Sequence, residues 1–151
     1  MQNLRIIMNI IKKLLNNDSL FEGSRDWALL TLRVIPSFYM FYYHGMRKIT
    51  NGIDTWNWLG EAVLTIFGIT FGFKLFGFLA AFSEGVLSWF VFLGYKTRIS
   101  SLFLILTMFF AGVYHLADGE SAESAFIYMI VYLTIFLIGP GKYSLDEKNK
   151  I

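Results

Sequence analysis

Four long apolar segments dominate the sequence, and they constrain the fold more than any other feature. The hydrocarbon core of a bilayer, about 30 Å thick, is crossed by roughly 20 helical residues, with a range of about 17–25. Residues 27–45, 75–93 and 99–116 fit this length, and the shorter segment 124–139 ends at a Gly-Pro-Gly sequence that stops a helix. The sequence therefore predicts an all-α fold, namely a four-helix transmembrane bundle.

The composition supports a chain dissolved in lipid and excludes several functional classes. Hydrophobic residues make up 56% of the 151 residues and charged residues 16%, whereas soluble domains carry about 45–50% and about 25%. A formal net charge of +2 is too small to indicate a nucleic-acid partner. The chain has no cysteine, which excludes disulfides, thiolate metal sites, iron–sulfur clusters and cysteine nucleophiles.

Two helices are expected outside the spans. Residues 1–24 form an amphipathic segment predicted to lie on the membrane surface, with docking on a partner protein as the alternative. Its basic residues lie opposite a set of apolar residues at helical spacing, which are Leu4, Ile7, Met8, Ile11, Leu14 and Leu15. Asp54 can cap a short interfacial or re-entrant helix over residues 55–67. The membrane domain is predicted over residues 25–146, followed by a tail of residues 147–151.

The distribution of basic residues predicts the orientation of the chain. With four crossings, nine Lys and Arg residues lie on the side of the two termini and three lie on the opposite side. Short loops that are rich in Lys and Arg stay in the cytoplasm. Both termini are therefore expected to face the cytoplasm.

Four ionisable residues fall within the predicted spans, where such groups are costly and usually face the bundle interior or a wet cavity. Arg33 and Glu84 are interpreted either as a buried ion pair that fixes helix register or as the lining of a proton or headgroup pocket. His44 and His115 suit a polar cap at the interface, proton transfer near neutral pH, metal ligation or axial ligation of haem. The histidines lack HxxxH or HxxE spacing, so metal and haem are the less favoured interpretations.

Helical spacing places the polar residues of each span on one stripe. At about 100° per residue, Arg33, His44 and Lys48 fall near one meridian of the first span. Tyr114 lies on a stripe of the third span, and Tyr128 lies on a stripe of the fourth. The simplest packing turns these stripes inward, which predicts a single polar pocket toward the outer leaflet.

Several short fragments, taken in chain order, resemble the DoxX family of small four-span bacterial membrane proteins. The resemblance covers about residues 27–146. The fragments are Leu32-Arg33, then His44-Gly45-x-x-Lys48, Ser83-Glu84-Gly85, Leu93-Gly94-x-x-Thr97-Arg98, His115 and Gly139-Pro140-Gly141-x-Tyr143-Ser144-Leu145-Asp146.

The resemblance implies a multi-pass protein of the bacterial inner membrane with a quinone-linked role. DoxX-like proteins include a subunit of thiosulfate:quinone oxidoreductases and proteins linked to thiol and oxidative-stress systems. The family is also similar in architecture to quinone-using four-helix proteins such as vitamin K epoxide reductase, which work through cysteines. Because this chain has no cysteine, a thiol–disulfide relay run by this chain alone is excluded.

The favoured functional hypothesis is a quinone-linked redox subunit. Charge-assisted hydrogen bonds would hold a quinone or sulfur-oxyanion oxygen, and imidazole groups would carry the protons. No redox centre is evident in the sequence, so electrons must come from a bound substrate or another subunit. The candidate site residues are His44, Glu84 and His115 for proton transfer, and Arg33, Lys48, Tyr114 and Tyr128 for quinone binding.

The alternative hypothesis is a non-enzymatic accessory or scaffold subunit of a larger inner-membrane complex. Its support is the small size of the chain and the amphipathic segment available for docking. Both hypotheses place the chain in a lipid bilayer beside other membrane-protein subunits, and both leave a homo-oligomer open. Neither involves nucleic acid.

Overall fold

A computed structural model describes residues 2–15 and 24–149, and every regular element within those residues is a helix. The predicted all-α class is therefore confirmed for the described residues. Residue 1 and residues 16–23 of the predicted amphipathic segment lie outside the described residues, as do residues 150–151 of the predicted tail.

Helix α1 (Gln2–Leu15) falls within the predicted amphipathic segment. The side chains of residues 2–12 are all exposed. They include the large apolar side chains of Leu4, Ile7 and Ile11. An apolar face exposed in this way is compatible with both a lipid surface and a docking partner.

The first long helix runs without interruption from residue 24 to residue 50. It consists of α2 (Ser24–Tyr39), a π-helical segment (Met40–Gly45) and α3 (Met46–Thr50). It extends beyond the predicted span 27–45 because a helical backbone continues into flanking polar residues, whereas hydropathy detects only the apolar part. The helix ends before Gly52, whose φ of 76° breaks the helical path.

The second long helix, Phe73–Leu93, is paired with a short helix that precedes it. Helix α4 (Ile53–Leu64) and a 3₁₀ turn (Thr65–Phe67) occupy the region of the predicted short helix, although Gly52 and not Asp54 lies at the N-cap position. The second helix itself consists of α5 (Phe73–Phe82), a π-helical segment (Ser83–Leu87) and α6 (Ser88–Leu93).

Helices α4 and α5 form an antiparallel hairpin in which glycine allows the backbones to touch. Gly60 lies against the backbone of Phe73, and Gly77 lies against the backbone of Trp56. Small residues at such contacts are typical of helix pairs in membranes. The indole N–H of Trp56 also donates to the carbonyl of Lys48 over 2.9 Å, which ties the hairpin to the end of the first helix.

Two further long helices, α7 (Thr97–Ala117) and α8 (Glu123–Ile138), complete the bundle. The short helix α9 (Leu145–Lys148) follows them. Among the described residues, Phe73–Leu93 and Thr97–Ala117 are long and apolar enough to cross a membrane. Helix α8 is apolar but has only 16 residues, and the first helix is longer but more polar.

The core between the four long helices consists of six buried side chains. They are Met40, Val91, Leu104, Met108, Tyr132 and Ile135. Because lipid tails are as apolar as these side chains, burial alone gives helices in a bilayer little reason to associate. Close backbone packing and polar contacts must therefore fix the arrangement.

One such contact joins the first and second helices. A Cβ atom placed on Gly45 would overlap the backbone carbonyl of Glu84 and the backbone nitrogen of Gly85. The two π-helical segments, Met40–Gly45 and Ser83–Leu87, therefore meet backbone to backbone. This contact fixes the height of one helix relative to the other.

Arg33 makes a second contact that fixes the arrangement, and this one is polar. It lies at the opposite end of the first helix, which we call the clamp end. Its side chain is 2% exposed, and its three nitrogen atoms donate to three backbone carbonyls. Nε donates to Phe92 over 3.3 Å, and Nη2 donates to Tyr143 over 2.8 Å. Nη1 donates to Pro140. Arg33 thus binds the end of the second helix to the segment that follows α8.

Asp146 secures the same end from the other direction. Its two carboxylate oxygens accept the backbone N–H groups of Lys96 and Thr97, each over 2.8 Å, at the start of α7. Its own N–H donates to the carbonyl of Gly94 over 2.8 Å. Burial alone would raise the pKa of Asp146, but the hydrogen bonds from Thr97 and Lys96 outweigh it and lower that pKa.

We expect Gly45→Ala to destabilise the protein by about 2 kcal/mol, because the added methyl group meets rigid backbone. Gly85→Ala is the comparison variant, since a Cβ there meets Ile49 Cβ at 3.2 Å and the Gly45 carbonyl oxygen at 3.3 Å, whereas a Cβ on Gly45 overlaps the Glu84 carbonyl oxygen. Thermal unfolding of the two variants in detergent, followed by circular dichroism, measures the difference. Equal stability of the two variants would contradict the backbone contact.

We expect Arg33→Lys to lose most of the stability that Arg33 provides, about 3 kcal/mol, because one ammonium group cannot satisfy three carbonyls that a guanidinium fork reaches. Arg25→Lys, at an exposed position on the same helix, is the control. The measurement is the unfolding temperature in detergent. An Arg33→Lys variant as stable as the control would show that the clamp contributes nothing.

The lowered pKa of Asp146 leads us to expect that the protein is less stable in acid. Because its pKa is lower in the folded protein, its stabilising contribution is full above about pH 4 and disappears as the pH falls through the folded-state pKa. At pH 7, the Asp146→Asn variant should therefore unfold at a lower temperature than the unsubstituted protein. At pH 3, the difference between the two unfolding temperatures should be smaller. Asp118→Asn, the same substitution at an exposed position at the end of α7, is the control. A difference that does not change with pH would contradict this role.

Candidate functional site

A partly enclosed pocket of about 390 Å³ lies at the end of the first helix opposite Arg33, which we call the pocket end. Helix α4, the first and second helices, α7 and the start of α8 all contribute to it. Its polar lining residues are His44, Lys48, Glu84, Thr107, Tyr114, His115 and Ser124. Its apolar and aromatic lining residues include Trp58, Leu59, Val63, Phe76, Ala80 and Phe110.

The electrostatic centre of the pocket is an ion pair between Lys48 and Glu84. Lys48 Nζ lies 2.8 Å from Oε1 and 2.7 Å from Oε2, so one ammonium group binds both carboxylate oxygens. The Glu84 side chain is 1% exposed and that of Lys48 is 27% exposed. A carboxylate buried this deeply requires a partner. Glu84 therefore keeps Lys48 at the pocket wall.

His44 lies one helical turn before Lys48 and interacts electrostatically with Lys48, Glu84 and His115. The Tyr128 ring packs edge-on against the imidazole at a centroid distance of 5.8 Å. Tyr128 in turn stacks on Tyr132 at 6.4 Å, which connects the pocket to the buried core. His44 is half-buried, so its ring is held in place while part of it stays accessible.

His115 lies at the rim of the same pocket and is oriented by an acidic residue. Its Nδ1 lies 2.8 Å from Oε2 of Glu120, in the turn between α7 and α8. A carboxylate at one ring nitrogen fixes the tautomer and leaves the other nitrogen available to a ligand. The neighbouring Tyr114 packs edge-on against Trp58, so aromatic rings form the wall beside His115.

This geometry can bind an uncharged, mostly apolar molecule by its polar atoms and exchange protons with it. The walls are apolar, and the donors converge from three helices. Within the described ranges, no group of three His, Cys, Asp or Glu residues is placed to hold a metal ion.

Five of the seven candidate residues from the sequence line this pocket, namely His44, Lys48, Glu84, Tyr114 and His115. Tyr128 lies directly behind His44. Arg33 lies at the clamp end, where backbone carbonyls satisfy it. The predicted pairing of Arg33 with Glu84 is therefore wrong, because Glu84 binds Lys48 and the height of the first helix places Arg33 well away from it.

Three features of the site were not predicted from the sequence. The π-helical segments that carry His44 and Glu84 have no marker in the residue pattern, although such segments are frequent at functional sites. The contact of Glu120 with His115 was not predicted, because Glu120 lies in a loop where helical spacing gives no guidance. The Lys48 partner of Glu84 had a signal, since Lys48 was already placed on the inward meridian with His44.

Comparison with known proteins identifies one family. The family model named DoxX matches residues 28–116, which cover most of the first three long helices and include both residues of the Lys48–Glu84 pair. No significant match is found among curated proteins or among solved structures. Because the matched region is more than half of the chain and contains His44, Lys48, Glu84 and His115, this protein belongs to the DoxX family.

Proposed function

We propose that this DoxX-family membrane protein binds the ring of a quinone in the pocket and acts as the quinone-binding subunit of a redox system. The observation that carries the proposal is the convergence of two imidazole groups and one paired ammonium group on an apolar pocket. Pockets of about 300–1,000 Å³ with apolar walls and a few polar groups are typical of small-molecule sites.

The residues present fit a quinone ring. The ring is flat and apolar with two carbonyl oxygens that accept hydrogen bonds, and Trp58, Phe76 and Phe110 offer aromatic surface for its faces. Lys48 can donate to one carbonyl oxygen through a proton not directed at Glu84, since an ammonium group has three donors. His44 or His115 can donate to the other.

A bound quinone supplies the capacity to accept two electrons and two protons. His44 and His115 can hold or release protons at the ring oxygens, because an imidazole ring has one nitrogen that can donate and one that can accept a proton. Glu120 orients His115, and Glu84 positions Lys48 rather than exchanging protons itself. The chain has no cysteine, so we place the electron donor, a thiol or a sulfur oxyanion, on another subunit or in solution.

We also propose a four-span arrangement in the bacterial inner membrane with both termini in the cytoplasm. The excess of basic residues on the side of the termini supports this orientation. The length of the first helix and the apolar character of α8 support two crossings in addition to Phe73–Leu93 and Thr97–Ala117. The pocket then faces the outer leaflet.

An accessory role in a larger membrane complex is the second candidate, and the exposed apolar side chains of α1 favour it. In that role the Lys48–Glu84 pair would serve packing alone, and the pocket would have no ligand. The two candidates differ in one measurable property, which is quinone binding by the isolated protein.

The test is titration of the detergent-solubilised protein with decylubiquinone or menadione, followed by quenching of tryptophan fluorescence. We expect saturable quenching, because Trp58 lines the pocket. His44→Phe, which replaces the imidazole with a ring that cannot hydrogen-bond, should weaken binding by about tenfold, the cost of one lost hydrogen bond to a ring oxygen. Tyr43→Phe, at the adjacent exposed position, should leave the affinity unchanged.

Two results would contradict quinone binding. One is quenching that rises linearly without saturation, as expected for partition of the quinone into detergent. The other is equal affinity of the His44→Phe and Tyr43→Phe variants, which would place any bound quinone elsewhere. Either result favours the accessory role.

A further inference from the structure

A second pocket, of about 420 Å³, lies at the clamp end, and its lining is mostly polar. Three basic side chains reach it from three separate parts of the chain: Arg25 from α2, Arg98 from α7 and Lys142 from the segment after α8. Two carboxylates, Asp26 and Glu147, also line it, which leaves an excess of one positive charge. We propose that this pocket binds the phosphate group of an anionic phospholipid.

The placement of the two arginines argues for a bound anion. Arg25 is the second residue of α2 and Arg98 is the second residue of α7. The N-terminal end of a helix carries partial positive charge, so a cation in the first turn is unfavourable. Asp26 in the first turn of α2 and Asp146, which accepts the N–H groups of Lys96 and Thr97, offset part of this charge at the two helix ends. A phosphate between Arg25 and Arg98 would accept the charge-assisted hydrogen bonds that their guanidinium groups can donate.

Exposed aromatic side chains beside the pocket argue for a lipid as the source of that anion. Trp27 and Tyr143 flank the pocket in sequence, their rings lie 5.0 Å apart, and both side chains are exposed. Exposed Trp and Tyr residues concentrate at the level of the lipid headgroups. Ile138, which lines the pocket and is exposed, offers an apolar surface along which an acyl chain can lie.

The segment that closes the pocket is built to stay in place without a ligand. Gly139 and Gly141 have φ angles of 97° and 77°, and the Pro140 carbonyl between them turns inward to Arg33. Lys142 follows this fixed turn and is exposed. A headgroup would therefore meet a preformed pocket, and little ordering would be needed on binding. Basic pockets between helices at the cytoplasmic side are a known mode of headgroup recognition.

The test uses the full-length protein in a neutral detergent and the increase in unfolding temperature on adding dioctanoyl phosphatidylglycerol. Dioctanoyl phosphatidylcholine and inorganic phosphate are the comparison ligands. We expect saturable stabilisation by the anionic lipid and much less by the other two. Arg98→Gln/Lys142→Gln should raise the half-saturating concentration at least about tenfold, since each basic residue near a charged lipid contributes about fivefold.

Arg47→Gln/Lys74→Gln removes the same charge from exposed positions outside this pocket, and it should change that concentration less than about twofold. Lys142→Gln alone, on an exposed side chain, serves if the double variant does not fold, and about a fivefold increase is expected. Equal effects of the two double variants would overturn the site. Equal stabilisation by inorganic phosphate would overturn the lipid as its source, and equal stabilisation by phosphatidylcholine would overturn the need for an anion.

Discussion

The first and second helices touch backbone to backbone where Gly45 meets Glu84 and Gly85, and the positions of the polar groups follow from this contact. With Gly45 level with Glu84, Lys48 lies about one helical turn beyond it and binds its carboxylate. Arg33 lies twelve residues before Gly45, or about 18 Å along the axis at 1.5 Å per residue. There it reaches the end of the second helix and the segment after α8 instead of Glu84. One steric contact thus separates two groups of polar residues.

Buried charges are stabilised by different partners at the clamp end and at the pocket end. Arg33 donates three hydrogen bonds to backbone carbonyls, and with 2% of the residue exposed it is not accessible to a ligand in the pocket. Lys48 is paired with a buried carboxylate but remains partly exposed to the pocket. Since an unsatisfied charge is costly in lipid, both arrangements are stable. The clamp end therefore contributes stability and a surface for headgroups, and the chemistry of the proposed function belongs to the pocket end.

Sequence periodicity predicted which residues face inward but not at what height they meet. The angular positions of His44, Lys48 and His115 follow from 100° per residue, and all three line one pocket. The height depends on how helices are packed, and periodicity contains no such information, so Arg33 was paired with Glu84. The glycines held the missing signal: aligning Gly45 with Gly85 would have favoured Lys48. The π-helical segments have no marker in the residue spacing, and Glu120 lies in a loop, so neither could be derived from helical spacing.

The hydrogen bond from Trp56 to the Lys48 carbonyl has a consequence for how natural or laboratory variation in this protein is interpreted. Gly77 touches the backbone of Trp56, and Trp56 supports the helix end from which Lys48 enters the pocket. A bulkier side chain at position 77 would displace Trp56 and so shift the ammonium group, although no atom of residue 77 lines the pocket. A genetic screen for lost activity would then recover substitutions at position 77 together with substitutions at pocket-lining positions. A substitution at position 77 would be mistaken for the loss of a direct contact with the ligand.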